Sequence, residues 1–305
     1  MSLQIENLTK TYPNGVRALN GVSLTIERGL FGLLGPNGAG KSSLMRTIAT
    51  LQDPDSGSIR LGELDVLRDK DRLRQRLGYL PQDFGFYPTL SAEATLEHFA
   101  ALKRIPAGKA RREAVQYLLQ QVNLYDVRNK NVGGFSGGMR QRLGVAVALI
   151  GSPELVIVDE PTAGLDPTER HRFLNLLSEV GENVIVILST HIVEDVRELC
   201  ERTAIIAKGR VIAQGNPEDV IAGVGRKIYK RVFDKAELAE AQTRYHVVST
   251  RLIAGKPVMF IYSETEPGDG FVPVEADLED AYFYYTGIAA GTQFPTAARQ
   301  GELAA

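Results

Sequence analysis

The chain has 305 residues, 44% hydrophobic and 24% charged, with a net charge of −2 at pH 7. That length fits one large domain, or one with a smaller companion, and the near-neutral balance argues against a nucleic-acid binder working through a broad basic surface. The single cysteine, Cys200, excludes an internal disulfide framework and a Cys-rich zinc site and suits a reducing compartment. No eighteen-residue apolar run and no N-terminal signal pattern is present, so no segment is expected to span a membrane or to be exported.

Leu3, Ile5 and Leu8 alternate with polar residues as a first strand should. Pro13-Asn14-Gly15 then turns the chain into a second strand over 18–26, with Leu19, Val22, Leu24 and Ile26 alternating. Tyr12, in the turn, has two readings at this point: an aromatic that stacks on a base, or one that packs its own turn. Gly29-Leu30-Phe31-Gly32-Leu33-Leu34 reads as a short buried strand. It feeds the stretch around which the chain is organised, Gly35-Pro36-Asn37-Gly38-Ala39-Gly40-Lys41-Ser42-Ser43. This fits G-x-x-x-x-G-K-[ST] between a strand and a helix N-terminus, and the combination makes a phosphate site. Its glycines let successive N–H groups face inward as a nest for anionic oxygens. Lys41 would reach the β- and γ-phosphates of a nucleoside triphosphate, and the Ser42 hydroxyl would sit on Mg²⁺.

The helix after this loop is expected to run to about Leu51, ending at Asp53-Pro54-Asp55-Ser56-Gly57. Short strands follow at 58–61 and 65–66, then a polar helix over 68–76. Gly78-Tyr79-Leu80-Pro81 is a short apolar strand that stops at proline with Gln82 at its end. Residues 91–124 are strongly helical, with Thr89-Leu90-Ser91-Ala92-Glu93 as an N-cap and a break at Pro106-Ala107-Gly108. Ala114, Val115, Leu118, Leu119 and Val122 form one apolar face of the second half. His98 reads as structural, and the basic cluster Lys103, Arg104, Lys109, Arg111 and Arg112 as a solvated helix face. Phe135-Ser136-Gly137-Gly138-Met139-Arg140-Gln141-Arg142 is a second Gly-rich loop opening a helix. Leu155-Val156-Ile157-Val158-Asp159-Glu160 is an apolar run suited to a buried parallel strand. It ends in two acids where α/β sheets place ligands: Asp159 suits a Mg²⁺ partner through water, and Glu160 a place beside an attacking water. A last apolar strand over 184–188 brings Ser189-Thr190-His191 to the same edge.

Taken in this order, the motifs resemble the ATP-binding subunit of an ABC transporter, over roughly residues 1–220. They comprise the phosphate loop at 35–43, the Q-loop Gln82, the signature loop at 135–139, the Walker B strand at 155–160, the D-loop at 163–167 and the switch histidine His191. The resemblance implies an α/β fold, a P-loop ATPase core with an antiparallel β subdomain and a helical subdomain at about 88–150. It also implies ATP and Mg²⁺ as ligands and places Tyr12 where the adenine stacks. Glu160, His191 and Gln82 would be the catalytic residues, with Ser42, Gln82 and Asp159 around the metal. Phe135, Ser136, Gly137, Gly138 and Asp166 would act in trans on the nucleotide of a second copy, because such subunits pair head to tail. A polytopic membrane permease is the implied partner, no nucleic acid is expected, and the location is peripheral on the cytoplasmic face of the inner membrane.

Met139 departs from the commonest signature form, which has glutamine there, so any contact of that amide with the partner's nucleotide is lost. Signature variants of this kind are familiar in the ABC-2 exporter branch, as is a small C-terminal appendage. Both lean toward export over import. Repair and chromosome ATPases of related type carry long insertions between phosphate loop and signature, for which the 41–136 interval is too short. Translation-factor relatives join two cassettes in one chain, and this chain has one.

Beyond a hairpin over 204–214 and a closing helix after Gly215-Asn216-Pro217, the ATP-binding domain is expected to end near 222. Residues 223–290 read as a small α+β appendage: a helix over 236–243, strands over 246–253 and 257–262, and a helix over 277–286. Leu278, Ala281, Tyr282 and Tyr285 share one face of that last helix. The tail over 291–305 is expected to be disordered.

Overall fold

The computed structural model describes residues 1–162, 165–225 and 227–291. The chain opens with β1 (Leu3–Thr11) and β2 (Arg17–Ile26), a hairpin whose turn is closed by the Tyr12 N–H donating to the Val16 carbonyl at 2.9 Å. β3 (Gly29–Leu34) leads through the phosphate loop into α1 (Lys41–Ile48). This helix is shorter than expected. Thr50 takes φ 58°, the Thr50 N–H donates to the Thr47 carbonyl and the Leu51 N–H to that of Arg46 at 2.9 Å. These are the two bonds of a left-handed helix stop. β4 (Ser56–Leu61), β5 (Leu64–Asp65), α2 (Lys70–Arg76) and β6 (Leu77–Leu80) follow.

The helical region begins with α3 (Ala92–Leu102), where the Ser91 hydroxyl accepts from the Ala94 N–H at 3.1 Å. It continues with α4 (Lys109–Gln121) and α5 (Gly137–Leu149). Val115, Leu119 and Val122 are buried as the periodicity demands, but Ala114 is exposed. The basic cluster is not wholly a solvated face. Lys103 donates to the backbone carbonyls of Arg74 and Leu77, and Arg111 reaches the Ile105 carbonyl and Glu97. His98 is exposed, edge-on to Tyr87 and Phe99.

The remaining core elements are β7 (Leu155–Asp159), α6 (Pro167–Gly181), β8 (Ile185–Thr190), α7 (Val193–Leu199), β9 (Arg202–Ala207), β10 (Arg210–Gly215) and α8 (Pro217–Ala222). Two sheets result. One is antiparallel, in the order β2-β1-β4-β5; the other runs β10-β9-β3-β8-β7-β6, parallel except for β10. Because side chains alternate across a strand, the parallel sheet feeds two cores. Phe31, Leu33, Ile157 and Ile187 face the antiparallel sheet and α1, whereas Leu34, Val158 and Leu188 face Phe173 and Val196 from α6 and α7. A strand buried on both faces needs a continuous apolar run, which is why β7 and β8 read as they do. Cys200, at the end of α7, is buried, and burial pushes its thiol up to about 12, in keeping with an inert core residue.

The C-terminal region holds β11 (Ile228–Val232), α9 (Lys235–Arg244), β12 (Val247–Ile253), β13 (Lys256–Tyr262), β14 (Val272–Val274) and α10 (Leu278–Ala290). The strands form a third, antiparallel sheet in the order β12-β13-β11-β14. β11 and β14 are additions to the sequence reading, which is blind to runs of three to five residues with weak alternation. Asp277 and Asp280 form a reciprocal capping box at the start of α10. Leu278, Ala281 and Tyr282 from this helix are buried in one continuous core with Val258, Phe260, Val220 and Val196, and the Tyr285 hydroxyl donates to the Val220 carbonyl at 3.4 Å. α10 thus packs the C-terminal sheet against α7, α8, β9 and β10. The tail expected after Gly291 lies outside the described residues.

His246, just before β12, is buried, and burial pushes its imidazole down to about 4 from 6.5. The folded protein therefore favours the neutral ring, and the unfolded chain protonates first as pH falls. The stability this group contributes is present above about 6.5 and is lost between there and about 4. His246→Gln, which cannot charge, should show a shallower fall of melting temperature across that window. The difference between the two curves should be on the order of 2–4 °C, read by differential scanning calorimetry.

Candidate active site

The phosphate loop leaves the C-terminal end of β3 and must reverse within a few residues to start α1. Gly40 makes this possible. Its φ of 112° is open to glycine, and a Cβ there would lie 2.4 Å from the Ala18 carbonyl oxygen. The turn of the β9–β10 hairpin, Lys208-Gly209, braces the loop from behind. The Gly209 N–H donates to the Ala39 carbonyl at 2.9 Å, and the Gly209 carbonyl accepts from the Asn20 N–H at 2.8 Å. The loop is therefore fixed to both sheets at once.

A cleft of about 280 Å³ opens above it, lined by residues 36–43 together with Tyr12, Val16, Ala18, Gln82 and Glu160. Gly35 lies beneath, its carbonyl accepting from Lys41 Nζ at 2.5 Å. The Lys41 side chain is only 6% exposed, with Glu160 Oε1 at 3.9 Å. Burial pulls the Lys41 pKa down, while Glu160 and Asp159 pull it back up. Ser42 is exposed at the N-terminus of α1. Tyr12 is held in place by its hydroxyl, which shares hydrogen bonds at 3.0 Å with Ser43 Oγ and Gln52 Oε1. Gln52 in turn donates to the Ser43 carbonyl and to Thr47 Oγ1. Nothing in the sequence marks Gln52 for this.

Asp159 ends β7 directly beside Ser189 of β8. It is buried, and burial pushes its carboxyl up. Oδ1 of Asp159 and Oγ of Ser189 have no hydrogen-bond partner within the protein. A buried, unpartnered carboxylate oxygen close to a free hydroxyl is a donor set that fits a hard divalent cation bound mainly through phosphates and water. Among the described residues no group of three or more His, Cys, Asp or Glu side chains could hold a metal on its own. Tyr79, which the sequence gave no reason to single out, lies near Asp159 and Arg46; burial and the charge of Asp159 push its phenol up.

Glu160 follows with φ 49°, a left-handed backbone that costs a non-glycine residue on the order of 1–3 kcal/mol. Its N–H donates to the Ser189 carbonyl at 2.8 Å, and its Oε2 lies 2.6 Å from His191 Nδ1. The carboxylate is thus held between Lys41 and His191. His191 contacts Glu160 directly, and its ring is more than half exposed.

The residues expected to act in trans lie elsewhere. Among the described residues, none of Phe135, Ser136, Gly137, Gly138 or Asp166 lines the cleft. Ser136 caps α5, its hydroxyl accepting from the Met139 N–H at 3.2 Å, and it and Gly137 are exposed. Gly138 is buried against Glu169, whose Oε2 would lie 2.6 Å from an added Cβ. Phe135 has its ring in the core, and its carbonyl accepts from Arg140 at 2.7 Å. Asp166 caps α6, accepting from the Glu169 N–H at 2.9 Å. Ala163 and Gly164 of the D-loop lie outside the described residues.

A parallel sheet with this loop at its C-terminal edge, and two acids at the end of β7 one strand away across β8, defines a P-loop nucleoside triphosphatase. Residues 19–163 match the family model described as ABC transporter. The chain is 36% identical over 225 residues to the linearmycin resistance ATP-binding protein LnrL of Bacillus subtilis (strain 168), covering 73% of this chain and 72% of that one. It is 33% identical over 269 residues to the daunorubicin/doxorubicin resistance ATP-binding protein DrrA of Streptomyces peucetius, covering 87% and 78%. The ATP-binding cassette MJ0796, solved as a dimer in a post-hydrolysis state with ADP and Pi, aligns with TM-score 0.64 and 27% identity, covering 70% of this chain and 98% of that one. The chain belongs to the ATP-binding subunits of ABC transporters and is an ATPase.

Replacing Lys41 by Met keeps most of its packing but removes the charge. ATP affinity, measured by isothermal titration calorimetry, should weaken at least ~10-fold, from the ~1.5–3 kcal/mol of a hydrogen bond to a charged group. The fold should survive, as judged by circular dichroism.

Proposed function

We propose that two copies of this chain pair head to tail, close two ATP molecules between them and drive a separate membrane subunit, in the direction of export. The observation that carries this reading is the split of the site. Lys41 and Glu160 line one cleft and His191 contacts Glu160, while the signature residues Ser136 and Gly138 open a different helix away from it. A second copy related by two-fold symmetry would bring its α5 N-terminus to this cleft. ATP favours closure because its γ-phosphate offers contacts that ADP lacks.

Within each site Lys41 would bind the β- and γ-phosphates and Tyr12 would stack on the adenine. Residues 35–43 would donate backbone N–H groups to the phosphate oxygens. Glu160 would accept the proton of the attacking water as its oxygen adds to the γ-phosphorus and the bond from that phosphorus to the β,γ-bridging oxygen breaks, releasing ADP and phosphate. His191 steadies the Glu160 carboxylate through the 2.6 Å contact and has its second ring nitrogen left for the γ-phosphate. Ser42, Asp159 and Gln82 are the residues that would hold Mg²⁺, which when bound neutralises charge on the β- and γ-oxygens. Phe135 and Gly137 would contribute backbone to the partner's nucleotide, and Asp166 would lie at the junction of the two copies.

Residues 1–222 are taken as the ATP-binding domain and 223–290 as an appendage. Among the described residues no helix is long and apolar enough to cross a membrane, so attachment to a permease on the cytoplasmic face is by docking. Export is supported by Met139 in the signature loop, by the appendage, and by the resistance functions in the names of LnrL and DrrA.

Glu160→Gln should bind ATP but hydrolyse it at least ~100-fold more slowly, the scale of losing a general base; near-normal phosphate release would refute the assignment. The same variant, tagged and trapped with ATP in its native host, should bring down a polytopic membrane protein in stoichiometric amount after solubilisation. Recovery with ribosomes, with DNA or alone would leave the ATPase chemistry and overturn the transport assembly.

A further inference from the structure

The left-handed backbone at Glu160 calls for a structural cause, because a glutamate keeps such a conformation only where its surroundings over-determine it. The cause lies in the two residues that follow. The Pro161 carbonyl accepts from Gln141 Nε2 at 2.6 Å, a side chain of α5. The Thr162 hydroxyl donates to Asp195 Oδ2 at 2.7 Å, a side chain of α7. Asp195 is fully buried, and its other oxygen accepts from Arg170 Nε of α6 at 2.7 Å. Pro161 and Thr162 are themselves buried. Two helices therefore grip the dipeptide next to Glu160, α6 bracing Asp195 from behind, while the Ser189 carbonyl holds the Glu160 N–H on the other side.

These contacts have a directional consequence. With the backbone turned this way, the Glu160 carboxylate reaches both Lys41 and His191. Asp195 lies four residues after His191, and Gln141 five after Ser136. The same grip thus ties Glu160 to the segments carrying the switch histidine and the signature loop. We infer that Gln141 and Asp195 are positioning residues for Glu160, acting through the Pro161 carbonyl and the Thr162 hydroxyl to fix the direction of its carboxylate. This rests on the assignment of Glu160 as the base that activates water.

Thr162→Val keeps the shape of the side chain and deletes only the hydroxyl; Gln141→Leu deletes the amide facing Pro161. Each full-length variant would be compared with wild type, Thr162→Ser and Glu160→Gln in steady-state ATP hydrolysis, with ATP affinity measured separately by calorimetry. The expected result is a kcat about ten- to a hundredfold lower, the scale of a misplaced catalytic group, with affinity for ATP within about twofold because no phosphate contact is touched. Thr162→Ser should recover most of the loss. Unchanged kcat in both deletions with Glu160→Gln inactive would overturn this inference alone. Equal impairment of Thr162→Ser and Thr162→Val would also overturn it, since the hydroxyl would then be irrelevant. Full turnover in Glu160→Gln would remove the base assignment and this inference with it. If Thr162→Val does not fold, Gln141→Leu decides by the same kcat and affinity criteria.

Discussion

Keeping one ammonium charged where water scarcely reaches it is the constraint on which the rest of the site depends. Burial alone drives Lys41 toward neutrality, and a neutral amine would be of little use to a triphosphate. The compensation comes from Glu160 at 3.9 Å, whose attraction is about 4 kcal/mol at an effective dielectric constant of 20. Asp159 adds to it, and the Gly35 carbonyl supplies a direct hydrogen-bond partner. The lysine is therefore kept ready by the groups that would surround the reaction, and a nucleotide arriving at the cleft finds the positive charge already in place.

Both acids can be there only because the sheet is parallel. β3, β7 and β8 all end at the same edge, so the phosphate loop, the Asp159–Glu160 pair and the Ser189–His191 segment emerge side by side. The register opposes Asp159 to Ser189, and from there the chain has just enough length to bring His191 back onto Glu160. A one-residue slip would turn Asp159 to the opposite face of the sheet. The apolar runs of β7 and β8, buried on both faces, prevent that slip and so secure the chemistry as well as the fold.

The appendage obeys a different logic. Its sheet has one small core under α9, built on Phe233, Met259, Ile261 and Phe271, and its other face is completed by α10. Because α10 also packs on α7, α8, β9 and β10, the appendage shares a hydrophobic core with the ATPase. The β9–β10 hairpin that receives α10 at its strands is the one whose turn braces Ala39 in the phosphate loop. α10 and the phosphate loop therefore contact the same hairpin.

The sequence by itself determined the phosphate loop, the apolar strands ending in Asp159-Glu160 and Ser189-Thr190-His191, the cap at Ser91, and the alternation of the first hairpin. These are local signals, in which spacing, turn chemistry and periodicity report directly on backbone geometry; that Ser136 caps α5 was shown by the structure. Leu51 escaped the same reading because a helix stop made by Thr50 in a left-handed conformation has no glycine to announce it. Only the tertiary structure decided that Phe135 turns its ring into the core, that Lys103 and Arg111 are tied to backbone carbonyls, and that Gln52, Tyr79, Gln141 and Asp195 surround the site. Each of these is a long-range contact between residues far apart in the chain, and a polar side chain carries no mark of which distant carbonyl or carboxylate it will meet. Local chemistry is written in neighbours, whereas the direction of the Glu160 carboxylate is set by side chains that α5 and α7 bring to the two residues after it.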